Sequence, residues 1–150
     1  MKTLTSAADL ASIRSRIALL SPTDTRLWGS MSPHQALCHI TDGLRLPLGE
    51  LTAATVKTPL PLPLFKWIVL KAPMKWPKDT HTMPEIDQNI AGTPPGEFAT
   101  DRATLLDKLE RVVRSTGPWP PHPIFGPLCH PEWMRLGYLH LDHHLRQFGR

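Results

Sequence analysis

Apolar positions recur at helical spacing in four stretches of the chain. Leu10, Ile13, Ile17 and Leu20 fall three to four residues apart, which predicts an amphipathic helix over residues 6–20, ended by Ser21-Pro22-Thr23. Ser32-Pro33-His34-Gln35 opens a second helix. Serine serves as N-cap, proline fits the first helical position, and Gln35 completes a capping box. That helix runs over 32–46, before Pro47. Thr100-Asp101 caps a third, 100–115, with Leu105, Leu106, Leu109, Val112 and Val113 on its inner side and Ser115-Thr116-Gly117-Pro118 as its stop. Pro131 opens the last, 131–148, closed by Gly149. Between the second and third lies a proline-rich segment, Thr58 to Gly96, with a short helix near residues 64–71. No repeat, heptad run or long strand alternation occurs. The pattern predicts an all-α chain, most simply a four-helix bundle with a long crossover between helices two and three.

Composition narrows this picture. The 150 residues suit one domain, and 41% hydrophobic with 20% charged residues indicates a globular chain. A net charge of +4 without a concentrated basic face argues against nucleic acid as a partner. The most apolar run, Leu60 to Met74, is broken by prolines and lysines and is too short to span a bilayer. The first residues lack the apolar core of a secretory signal, and two cysteines do not make a disulfide framework. The cytoplasm is the expected location.

Candidate chemistry sits mainly in the last helix. His140 and His144 are four residues apart, so their imidazoles can converge on one ion. Trp133, Leu136 and Gln147 lie within about 40° of His140 on the same stripe, while Arg135, Asp142 and Arg146 fall on the other side. A buried stripe carrying two histidines and a glutamine is costly unless something satisfies the nitrogens. A metal ion would do so; ordinary core hydrogen bonding is the other reading. His39 on helix two is a candidate third ligand. Gln35, Ala36, Asp42 and Gly43 share its face, and the small Ala36 and Gly43 allow close approach. A hydrogen bond from His39 to Asp42, one turn away, is the metal-free alternative. The HExxH motif is absent, because Leu141 follows His140, and no Glu-x-x-His pair occurs. Cys38 points about 100° away from His39 and reads as a buried structural thiol, whereas Cys129 is the more exposed of the two. Trp67 and Trp76, set among Lys66, Lys71, Lys75 and Lys78, read as a lid over the bundle end or as a substrate or dimer surface.

The stretch Trp28-Gly-Ser-Met-Ser-Pro-His-Gln-Ala-Leu-Cys-His39, with the terminal His140-x-x-x-His144-x-x-Gln147, resembles the DinB/YfiT-like superfamily of metalloenzymes. His122-Pro-Ile-Phe-Gly-Pro-Leu128 and Leu141-Asp-His-His-Leu-Arg-Gln-Phe-Gly149 look like a bacterial branch of it. The resemblance covers the whole chain and implies a single DinB-like four-helix domain. It also implies one divalent ion (nickel, zinc, iron or manganese) held by His39, His140 and His144. Other members of the superfamily are thiol-dependent transferases and isomerases. Ligating histidines usually donate their second N–H to a neighbour, which makes Gln35, Asp42, His143 and Gln147 candidate supporting residues. The expected function is a metal-dependent hydrolase or thiol transferase acting on a small molecule, with a low-molecular-weight thiol as one candidate partner. A non-catalytic metal- or ligand-binding bundle is the alternative. A homodimer is compatible with either.

Overall fold

Local capping fixes where the helices begin. In the computed structural model, which describes residues 1–72, 75–78 and 82–150, helix α1 spans Ala7–Leu19 and Ser6 accepts a hydrogen bond from the Asp9 N–H. Helix α2 spans Pro33–Arg45 with both arms of the Ser32/Gln35 capping box formed. Helix α3 spans Leu62–Lys71, starting two residues earlier than the apolar run indicates. Pro61 and Pro63 stand at its start, where a missing N–H costs nothing. Helix α4 spans Phe98–Arg114 and α5 spans His130–Gln147. A single 3-10 turn, Pro84–Ile86, is the remaining element, and no strand occurs among the described residues. The chain is all-helical.

One cap differs from expectation. Thr100-Asp101 does not open α4; Glu97 does, its carboxylate accepting from Thr100 N–H at 2.7 Å, so the helix begins at Phe98. Glutamate is an uncommon N-cap, which is why the Thr-Asp pair was the stronger sequence signal. Asp101 is thereby left free for other partners.

Helix α2 packs against both α4 and α5, α1 and α3 pack against α5, and the 3-10 turn sits on α2. The core runs through Ile13 and Ile17, Leu37 and Ile40, Leu105 and Leu109, and Met134, Leu141 and Leu145, all at most 1% exposed. Burying each such side chain stabilises the fold by about 1.5–3 kcal/mol. On the outer side of α5, Asp142 takes Arg16 at 2.8 Å and Arg146 at 2.8 Å, which pins α1 to α5. The crossover is fastened to α2 by Asp42, which is fully buried. Its carboxylate accepts from Thr93 N–H (2.8 Å), Thr93 Oγ1–H (2.7 Å), Gln88 Nε2 (3.1 Å) and Arg45 (3.1 Å). Parts of that crossover, residues 73–74 and 79–81, lie outside the described residues. No helix among the described residues is long and apolar enough to cross a membrane.

The loop before α5 contributes a buried histidine. His122 Nδ1 accepts from Ile124 N–H at 3.0 Å, so that nitrogen carries a lone pair, and the ring packs on Phe125 and Trp133. Burial pushes its pKa down to about 4. The unfolded value lies near 6.5. A depressed folded pKa means the stabilisation is complete above pH 6.5 and is lost as pH falls from 6.5 through 4. Denaturant titrations should show about 2–3 kcal/mol lost from this group between pH 7 and pH 4.5. His122→Asn, whose carbonyl can accept the same hydrogen bond without titrating, should flatten that share of the acid limb.

Candidate metal centre

The helical periods of α2 and α5 bring three imidazoles together. His39 is 3% exposed and its ring centroid lies 4.8 Å from that of His140 and 4.7 Å from that of His144. His140 and His144 are 5.0 Å apart by the same measure. One ligand nitrogen from each ring can be chosen so that all three lie within 4.8 Å of one another. Nitrogens sharing an ion at about 2.0–2.1 Å stand roughly 3–3.5 Å apart, so small ring rotations suffice. His39 Nε2 and His140 Nε2 are already 2.9 Å apart.

Second nitrogens select the tautomers. His39 Nδ1 donates to the Ile86 carbonyl at 2.7 Å, which leaves Nε2 as the lone pair. His144 Nδ1 donates to Gln147 Oε1 at 3.1 Å, and Gln147 Nε2 in turn donates to the Trp28 carbonyl at 2.9 Å. Its Nε2 is therefore the nitrogen available to a ligand. Burial holds all three imidazoles below their ordinary pKa, His140 and His144 far below. Repulsion from the neighbouring histidines adds to this for those two. At neutral pH the site offers uncharged lone pairs, the form a metal requires. The donor set fits a divalent ion.

Of the four supporting candidates, Gln147 is the one hydrogen-bonded to a ligand. Gln35 accepts from Ser32 N–H at 2.9 Å and donates to Asn89 Oδ1 at 3.0 Å, so it serves the cap and the crossover. Asp42 makes no hydrogen bond to His39, contrary to the metal-free alternative; its oxygens are taken by the crossover and Arg45. His143 offers no atom to the ligand cluster; its ring stands edge-on to His144 at 5.1 Å and lies 6.0 Å from Trp28 and 6.1 Å from Trp76, and its buried Nδ1 has no hydrogen-bond partner among the described residues. Ile86 is the supporting residue that sequence alone missed. Its contribution is a backbone carbonyl, which no side-chain motif signals. Trp76 also stacks 6.4 Å from His140, while Trp67 is 55% exposed. Two surface cavities, of about 380 Å³ beside Asp24 and Met31 and about 220 Å³ beside Trp67 and Leu70, border none of the three histidines.

Gly43 makes the close helix approach possible. A Cβ placed there would lie 2.8 Å from His140 Cε1 and 3.0 Å from its Nδ1. Gly43→Ala should therefore displace the His140 ring and weaken metal binding by about tenfold or more. Helix α2 itself should hold or gain stability, since alanine is the better helix former. Isothermal titration with a divalent ion, beside thermal melts of the apo protein, separates the two effects.

An all-helical chain with a buried three-histidine cluster between two helices is thus the class of protein at hand. Over residues 4–150 it matches the family described as "Protein of unknown function (DUF1569)", and it belongs to that family. No curated protein and no solved structure matches it.

Proposed function

We propose that the chain is a DinB-like four-helix bundle, built from α1, α2, α4 and α5. In this reading it holds one divalent ion at His39, His140 and His144 and works as a metal-dependent hydrolase or thiol transferase on a small molecule. The observation that carries this reading is the convergence of three neutral imidazoles from two helices, two of them with the tautomer set by Ile86 and Gln147. A divalent ion held by neutral ligands keeps its full charge and supplies Lewis acidity, enough to bring the pKa of water toward about 7 or to keep a thiol ionised. The protein's own part is positioning. Ile86 and Gln147 orient two of the rings, Gly43 admits the third, and the Trp76 indole, fixed to the Val69 carbonyl at 3.2 Å, covers His140 from the crossover side.

Elemental analysis of protein purified without an affinity tag should find at least one divalent ion per chain, and His140→Ala should lose one. Hydrolysis of small esters or transfer of a low-molecular-weight thiol to a small electrophile should stop on chelation and return with nickel, zinc or manganese. Activity that survives complete metal removal would overturn the proposal. Stoichiometric metal with no turnover across both substrate classes would favour the non-catalytic bundle instead.

A further inference from the structure

Helix α2 carries a second set of donor atoms on another face. His34 and Cys38 are one turn apart, so they rise side by side toward the first turn of α4, where Asp101 meets them. Asp101 Oδ2 lies 2.7 Å from His34 Nε2 and 3.6 Å from Cys38 Sγ, and it also accepts from Gly96 N–H at 2.8 Å. One ligand atom from each of the three side chains falls within 4.8 Å of the others. Phe98 packs edge-on against His34 at 5.2 Å and steadies the ring. Cys38 is 3% exposed, whereas the His34 and Asp101 side chains keep 21% and 22% of their surface, which gives an ion a path from solvent.

The order of these groups decides what they can do. In a nucleophilic cysteine site the imidazole stands between thiol and carboxylate, so that it can take the thiol proton. Here the carboxylate is in the middle: both the imidazole and the thiol address Asp101 Oδ2. Such an arrangement cannot generate a thiolate through histidine. It does present sulfur, nitrogen and oxygen ligands to a common point, a set suited to a borderline-soft divalent cation.

We propose that His34, Cys38 and Asp101 form a second divalent-cation site, selective for thiophilic ions such as zinc, on the α4 side of α2. Its occupancy does not depend on the three-histidine centre. On loading, the Cys38 thiol proton leaves to solvent, and the His34 proton that Nε2 donates to Asp101 is exchanged through solvent to Nδ1, which leaves the Nε2 lone pair for the ion. Thiolate and carboxylate then neutralise the dication. The site joins α2 to α4, so its occupancy should clamp the helix pair that also carries His39.

Cobalt(II) titration of the untagged apo protein tests this, because only a cysteine ligand gives thiolate-to-cobalt charge-transfer absorption in the near ultraviolet. Wild type should bind two ions, one of them with that band. Cys38→Ser should abolish the band and leave the second ion in place; Cys129→Ser should leave the band intact. His34→Gln and Asp101→Asn should each weaken the band-forming ion by about tenfold or more. His140→Ala should remove the other ion alone, so failure of either site is read separately. A fully loaded, folded wild type without the band would overturn the proposal, as would a band that survives Cys38→Ser. Should that variant fail to fold, unchanged cobalt affinity in His34→Gln would overturn it equally.

Discussion

Alanine in place of His39, His140 or His144 should abolish tight metal binding at the three-histidine centre, while His143→Ala should retain it. Three nitrogens are the minimum for an open divalent site, and the three rings converge with no fourth side chain in the cluster among the described residues. His143 lies on the same helix but turns toward Trp28 and Trp76. Thermal melts give a second readout. With the ion at about a hundred times its dissociation constant, binding stabilises the fold by about 2.7 kcal/mol. For a chain of this size that amounts to roughly 5–10 °C in Tm. Wild type and His143→Ala should show this rise in full, and the three ligand variants should lose the share that this centre contributes. Their apo forms should differ little in stability from wild-type apo protein, because each substitution also removes a buried polar ring. Equal metal content in all four variants, by elemental analysis, would discard the ligand set. Gln147→Ala belongs between these extremes: it frees His144 Nδ1 and the Trp28 carbonyl together and should cost about 10–100-fold in affinity.

Much of this was legible because the signals are local. The Ser32/Gln35 box and the proline after it involve residues three apart, and α2 begins where they indicate. The same holds for the pair His140 and His144, since helical spacing alone places them together. Facing residues were harder to read. His39 was reachable only because Ala36 and Gly43 left room beside it, and the structure shows the His140 ring filling that room. What the sequence concealed were contacts from the crossover. Proline placement indicates that a segment is irregular but not where its carbonyls point, so the Ile86 oxygen behind His39 had no signature. Asp42 illustrates the same limit. Its position on the His39 face suggested a partner for that ring, yet Thr93 and Gln88, about fifty residues on, compete for its oxygens and win. Asp101 reads in the sequence as part of a helix cap and instead faces His34 and Cys38, because Glu97 caps α4.

The competition for Asp42 leads to the largest expected loss of stability. Asp42→Ala removes a fully buried carboxylate that four donors address. Arg45 keeps a third of its side chain in solvent and can rehydrate. Thr93 loses the acceptor of both its N–H and its hydroxyl, and with it the tie between the crossover and α2. Breaking a buried charged network from one side costs about 3–5 kcal/mol, which for a chain of this length lowers Tm by roughly 10 °C. Asp42→Asn retains one acceptor oxygen and should lose about half as much. The damage should also reach the metal centre without touching a ligand. Residues 87–93 fold back on themselves, with Ile90, Ala91 and Gly92 N–H all bonded to the Asp87 carbonyl, and Thr93 ties that turn to α2. Once Asp42 no longer holds the turn, the Ile86 carbonyl just before it is less firmly placed behind His39 Nδ1. Metal affinity in Asp42→Ala should then fall by about 10–100-fold, the usual loss when a ligand's supporting partner is disturbed. Calorimetric titration at a temperature well below the lowered Tm reads this separately from unfolding. A Tm within about 2 °C of wild type would show that the crossover is anchored elsewhere. Full metal affinity in a destabilised variant would show that Ile86 is held by its packing on α2 alone.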